Sequence, residues 1–225
     1  MKNFVILVAG GSGSRMGNDI PKQFLELCGK PVLMRTIEIF HEFDPACDLV
    51  LVLPENQQEF WAGLCLKHLF SLPHRIASGG ETRFHSVKNG LKLIADEGIV
   101  FIHDGVRPLV SQETLVRCFE TAQKCGNAIP VLPVTESLRK LEGDQSISVD
   151  RSLYFSVQTP QTFQTAQILN AYEQSFDHSF TDDASVAEKA GFSISMVEGN
   201  LENIKITQPT DLVVAEAFLQ KKLQK

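Results

Sequence analysis

Glycine-rich turns studded with cations set the chemistry open to this chain. The first, Ala9-Gly10-Gly11-Ser12-Gly13-Ser14-Arg15-Met16-Gly17, follows an apolar run and is succeeded by Pro21-Lys22-Gln23. Residues without side chains let backbone N–H groups approach an anion, and Arg15 and Lys22 add positive charge where the loop should lead into a helix. In a chain of net charge −6, such a local concentration of cations points to a strongly anionic ligand, a polyphosphate. Neither standard glycine loop fits. No Lys-Ser or Lys-Thr pair follows the glycines, which excludes a Walker A loop. Counting G-x-G-x-x-G from Gly11 places Met16 where the third glycine belongs, so the dinucleotide fingerprint is also absent.

A polyphosphate normally arrives with Mg²⁺, which keeps several waters and takes one or two carboxylates. The segment Phe101-Ile102-His103-Asp104-Gly105-Val106-Arg107-Pro108 puts Asp104 at the end of an apolar run, where open parallel sheets bind ligands. Asp104 is therefore the metal candidate; capping of the following turn is its alternative role. Gly105 and Arg107 beside it supply the open backbone and guanidinium fork that phosphate recognition uses. Ser78-Gly79-Gly80-Glu81-Thr82-Arg83-Phe84-His85-Ser86 is a second glycine turn opening a helix, with polar groups able to read a base edge. In Asn203-Ile204-Lys205-Ile206-Thr207 a lysine stands inside an apolar, strand-like run, where it needs an anion unless it snorkels to the surface. The histidines have no zinc-site spacing, and no G-x-S-x-G elbow occurs.

The elements that must position these residues alternate between short apolar runs and longer helical periods, the pattern of a mostly parallel α/β sheet covered on both faces. Strands are expected over 4–8, 49–53, 100–103, 128–134, 154–158 and 193–197. A helix capped by Ser111 should end at Gly126, Thr181-Asp182-Asp183 should open another that Gly191 closes, and a last helix should start at Pro209. Between Ser137 and Arg151, alternation around Gly143-Asp144 signals a β-hairpin. It reads as an arm over about 136–153 on a single 1–225 domain; spacing alone leaves open whether it rests on its own domain or on a second subunit. The length, 225 residues with 43% hydrophobic, suits one globular unit, and the mild acidity argues against a nucleic-acid partner. No stretch approaches a membrane span. Five cysteines without a C-x-x-C pair suit a reducing cytoplasm.

Taken in order, A-G-G-S-G-S-R-M-G with P-K-Q-F, G-G-E-T-R-x-x-S-V, H-D-G-V-R-P, V-D-R, Q-T-P-Q-x-F, T-D-D-A-S and E-G-x-x-x-N-I-K-I-T resemble the 2-C-methyl-D-erythritol 4-phosphate cytidylyltransferase family. The likeness runs from about residue 3 to residue 219. It implies a Rossmann-like fold of the nucleotide-diphospho-sugar transferase kind, a cytoplasmic homodimer joined through the arm, and transfer of CMP from CTP to the sugar-alcohol phosphate with a divalent cation, Mg²⁺. By the same resemblance Arg15 and Lys22 hold the triphosphate, Lys205 neutralises charge at the α-phosphate and Asp104 carries the metal. Ala9, Gly10, Gly11, Gly80, Glu81 and Ser86 would bind CTP. Gly105, Arg107, Ser137 and Thr159 would line the acceptor site, which Arg151 and Thr181 would complete on the partner.

Two departures concern the acceptor. Gly105-Val106 stands where the family often has Ala-Ala, and Ser137 where it has threonine. Ribitol 5-phosphate is the alternative acceptor, since H-D-x-V-R-P resembles that cytidylyltransferase too; V-D-R at 149–151 favours methylerythritol phosphate. Outside this class stand a nucleotide-binding scaffold without chemistry, against which the full set of cations speaks, and a nicotinamide oxidoreductase, which lacks its fingerprint.

Overall fold

Residues 4–7 and 49–53 are apolar at every position, and a strand of that kind must be covered on both faces. The structure, a computed structural model describing residues 1–10 and 20–223, builds this arrangement. The strand β1 (Lys2–Val8) is followed by a small hairpin of β2 (Glu26–Leu27) and β3 (Lys30–Pro31), then α1 (Val32–Phe43), β4 (Asp48–Leu53), α2 (Glu55–Lys67) and β5 (Arg75–Ser78). Next come α3 (Arg83–Leu91), β6 (Gly98–Asp104), α4 (Gln112–Cys125) and β7 (Asn127–Pro133). The hairpin β8 (Arg139–Glu142) and β9 (Gln145–Ser148) precedes β10 (Phe155–Val157), β11 (Gln161–Gln164), α5 (Thr165–Ala171), α6 (Asp183–Lys189), β12 (Met196–Glu198) and α7 (Pro209–Leu223).

The main sheet runs β10-β7-β11-β6-β1-β4-β5, with β12 on β7. Its centre is parallel: β1 pairs with β4 and β6, and β4 with β5. β11 enters antiparallel between β6 and β7, and β10 is antiparallel to β7. Alternate side chains build two cores. Val5, Leu7, Leu51 and Phe101 pack on Ile37 and Phe40 of α1 and Leu115 of α4. Phe4, Ile6, Val50 and Ile102 pack on Val87 of α3, Ile168 of α5 and Val186 of α6. The chain passes from β1 outward to β4 and β5, then returns to β6 on the other side of β1. This reversal opens a crevice at the carboxyl ends of β1 and β6.

Local signals hold where the chemistry is explicit. The Ser111 hydroxyl accepts the Thr114 N–H, Gly126 ends α4 with φ +94°, and Asp182 forms a capping box with Ser185. The arm folds as a hairpin with Gly143 at φ +61°. Two expectations change. Residues 203–207 form a loop rather than a strand, because Asn203 is held by side chains and the Ile206 N–H bonds only the Val106 carbonyl. The strand expected over 193–197 is β12, Met196–Glu198, since Asn127 Oδ1 takes the Ser195 N–H and delays pairing.

Arg83 at the start of α3 clasps the buried Asp183 at the start of α6 through two bonds of 2.8 and 2.6 Å, and the Tyr172 hydroxyl donates to the same carboxylate at 2.7 Å. Removing one partner strands a desolvated charge, at about 3 kcal/mol. Asp183→Ala is therefore expected to lower Tm by roughly 10 °C in scanning calorimetry; a fall within about 2 °C would show that this pair does not hold the two helices together.

Candidate active site

The crevice between β1 and β6 is a cavity of about 310 Å³. Val8, Ala9 and Gly10 line it where β1 ends, Gly80 and Glu81 where the turn after β5 begins, and Ser86 from α3. Lys22, Asp104 and Lys205 close it with charge. Residues from both ends of the chain therefore meet, as the glycine and cation pattern requires. Arg15 and Gly11 lie outside the described residues. A roomier cavity of about 500 Å³, between the start of α4 and α7, contains none of the expected site residues.

Each wall has a local cause. At Gly80 a Cβ would stand 2.4 Å from His85 Cβ and 2.9 Å from the His85 carbonyl carbon, so only glycine lets the turn fold this closely over α3. The Gly80 N–H donates to Ser86 Oγ at 3.0 Å, and that hydroxyl donates to the Thr82 carbonyl at 3.0 Å. The carbonyl of Gly80 is thus the group this residue can offer a ligand. Thr82 caps α3 by accepting the His85 N–H.

Asp104 is the electrostatic centre. Its Oδ2 lies 3.1 Å from Lys205 Nζ and 3.1 Å from Arg107 Nε. Burial alone would raise its pKa, but the cations Lys205, Arg83 and Arg107 outweigh this and hold the carboxyl well below the usual carboxylate range. Asp104 is therefore ionised throughout the physiological range. The lysine within the 203–207 run finds its anion here.

Behind the carboxylate runs a buried chain with one consistent proton order. The Asp104 N–H donates to Thr159 Oγ1 at 3.1 Å, and Thr159 Oγ1 lies 3.0 Å from His103 Nδ1. His103 Nε2 lies 3.0 Å from the Arg107 carbonyl, which can only accept, so Nε2 carries the ring proton and Nδ1 accepts from the threonine. Burial pushes the His103 pKa down to about 4, which keeps the ring neutral.

Other expected residues sit outside the cavity wall. Arg107 turns inward, donating to Asp104 and to the Asn203 carbonyl at 2.8 Å. Thr159 is spent on the same internal chain, and the Gly105 N–H bonds the Val8 carbonyl at 2.9 Å. Ser137, Arg151 and Thr181 are exposed; Arg151 donates to the Thr135 carbonyl and the Thr181 N–H to Ser185 Oγ. None of these three lines the cavity within one chain. Gln23 and Arg83 do line it, though no role was read for them in the sequence. Their signal was their place in P-K-Q-F and G-G-E-T-R, beside residues already singled out. Among the described residues no group of three or more His, Cys, Asp or Glu could hold a metal by itself. A divalent cation here fits only the kind of site that uses one carboxylate, Asp104, and draws its other ligands from phosphate and water.

With this geometry in place, comparison with known proteins is direct. A family model described as 2-C-methyl-D-erythritol 4-phosphate cytidylyltransferase matches residues 3–221. The chain is 56% identical to the protein of that name from Bacteroides fragilis over 214 residues, covering 95% of this chain and 98% of that one. It is 36% identical to the one from Bacillus velezensis, covering 98% and 97%. Among solved structures it resembles the enzyme of the same name from Thermus thermophilus, with TM-score 0.80, 32% identity and coverage of 98% and 100%. The 4-diphosphocytidyl-2C-methyl-D-erythritol synthase of Anaerococcus prevotii matches with TM-score 0.82 at 27% identity, covering 97% and 98%. On the family model over residues 3–221 and on these relatives, the chain belongs to the 2-C-methyl-D-erythritol 4-phosphate cytidylyltransferase family.

Proposed function

We propose that the protein transfers CMP from CTP to 2-C-methyl-D-erythritol 4-phosphate in the cavity between β1 and β6. The observation that carries this reading is the convergence of Lys22, Asp104 and Lys205 on the same cavity as Ala9, Gly10, Gly80 and Ser86. A phosphate oxygen of the acceptor attacks the α-phosphorus of CTP, the bond from that phosphorus to the bridging oxygen breaks, and pyrophosphate leaves with the electron pair. The product is a 4-diphosphocytidyl sugar alcohol. Charge gathers on the α-phosphate oxygens and on the leaving group, so positioned cations supply the acceleration and no protein base is required.

The chain's own residues divide this work. Backbone at Ala9, Gly10 and Gly80, with Glu81 and Ser86, meets the nucleotide. Lys22 faces the triphosphate and the leaving pyrophosphate, a role that the family resemblance gives Arg15 as well. Lys205 has a side chain 43% exposed while paired to Asp104, which leaves its ammonium able to turn to the α-phosphate. Asp104 would hold Mg²⁺, which when bound supplies neutralisation of the triphosphate charge. Arg107, Thr159 and His103 keep Asp104 in place.

The acceptor side rests on a homodimer. All eight arm-strand residues are exposed, with Leu141 and Ile147 among them. Among the described residues β10 pairs with β7 only, while Leu153, Tyr154, Phe155 and Val157 around it are exposed. A lone hairpin is marginal in water, and these apolar groups are suited to a second copy, which would bring Arg151 and Thr181 toward the partner's acceptor site. Five free thiols support a reducing, cytoplasmic setting.

Pyrophosphate release measured with CTP and each acceptor separately tests the activity; turnover with ribitol 5-phosphate in preference to methylerythritol phosphate would transfer the protein to the other specificity. Lys205→Ala is expected to lower kcat about 10²-fold, the scale for one transition-state charge partner, and a loss of only a few-fold would remove Lys205 from the chemical step. The double substitution Leu141→Asp, Ile147→Asp is expected to convert a dimer to a monomer in sedimentation velocity. A wild type that sediments as a fully active monomer would end the exchanged-arm reading.

A further inference from the structure

Gln23 stands where the two halves of the site meet. It belongs to the one-turn 3-10 helix Lys22–Phe24 and its side chain is fully buried at the cavity wall. Phe24 anchors that turn, its ring centroid 5.1 Å from that of Phe60 and 6.2 Å from that of Trp61. From this anchored turn Gln23 Nε2 donates to the Ala9 carbonyl at 2.9 Å and to Gln57 Oε1 at 2.7 Å. The Ala9 N–H donates to the Val52 carbonyl at 3.0 Å. Both polar groups of Ala9 are therefore fixed, one by β4 and one by Gln23. The orientation of the Gln23 amide is not arbitrary, because a backbone carbonyl can only accept and so must face the NH₂ end.

The other end of that amide is telling. Gln23 Oε1 is buried and, among the described residues, has no hydrogen-bond partner. An unsatisfied buried acceptor is destabilising, so the glutamine is kept for its donor end. That end satisfies the Ala9 carbonyl and Gln57 Oε1, which an apolar side chain would leave without it. It holds the Ala9 carbonyl while leaving that oxygen's second lone pair for a ligand.

We infer that Gln23 is a positioning residue for nucleotide choice. It locks the Ala9 carbonyl and the following Gly10 into one orientation and ties them to the turn that carries Lys22, so that base and triphosphate are registered against each other. This rests on the reading above that Ala9 and Gly10 meet the base. Cytosine presents an amino donor where uracil presents a carbonyl acceptor. A carbonyl fixed toward that edge accepts from the first and repels the second, whereas one free to rotate loses the distinction.

The test compares kcat/KM for CTP and UTP by pyrophosphate release in wild type, Gln23→Met and Gln23→Glu, with thermal melts alongside. In Gln23→Met the CTP:UTP ratio is expected to fall about tenfold or more, through a higher KM for CTP, with the acceptor KM unchanged. In Gln23→Glu a carboxylate cannot donate to the Ala9 carbonyl but a buried carboxylic acid can, so the ratio should recover as pH falls from about 8.5 to about 6.5. Should Gln23→Met not fold, the pH dependence of Gln23→Glu alone decides. An active wild type whose variants keep its ratio within about twofold at every pH overturns the inference. A wild type that releases no pyrophosphate from CTP overturns the transferase reading, and the inference with it.

Discussion

A single buried carboxylate organises this molecule's chemistry. Asp104 ends the central strand β6, pairs in register with Val8 at the end of β1, and draws Lys205 and Arg107 to the same oxygen. Two cations on one carboxylate in a low-dielectric crevice form a stable arrangement only because the groups lie at the mouth of the sheet, where Lys205 keeps contact with solvent. The ion cluster also fixes distant parts of the chain. Arg107 reaches from Asp104 to the Asn203 carbonyl, and Gln158 Nε2 donates to that same carbonyl at 3.3 Å. The loop that presents Lys205 is thereby held on both sides, since the Ile206 N–H is bonded to the Val106 carbonyl and its side chain is fully buried.

The sheet topology explains why so many chain segments arrive at one place. Strands β1, β4, β5 and β6 all point their carboxyl ends the same way, so the turns that follow them share one rim. The reversal of strand order beside β1 splits those turns and leaves room between them. β11 then enters antiparallel next to β6, which brings Thr159 beneath Asp104. The fold thus supplies a hydroxyl under the carboxylate backbone and a neutral imidazole under the hydroxyl. That stack leaves no proton position undecided.

Much of this was legible in the residues, for a physical reason in each case. The Ser111 and Asp182 caps and the Gly143-Asp144 turn are local signals, and local chemistry decided them. Continuous apolar runs announced the central strands. By contrast β5 carries Arg75 and an exposed Ile76 at a sheet edge, and β11 reads Gln-Thr-Phe-Gln, so neither shows the pattern of a covered strand. Lys205 was recognisable as a lysine in need of an anion, but not as a loop residue, because the tethers on Asn203 come from Arg107 and Gln158, far away in sequence. Gln23 showed only its place in P-K-Q-F and not its role, for the same cause: whether a glutamine is buried, and what its amide faces, is decided by tertiary contacts alone.

The crowded turn at Gly80 carries an evolutionary consequence. Because a Cβ there would collide with the backbone of His85 as well as its side chain, no rotamer change can make room. Drift at this position is closed off whatever the ligand demands. A lineage that came to favour a different nucleotide would have to do so through the neighbouring Glu81 or through residues across the crevice, with the tight turn inherited intact.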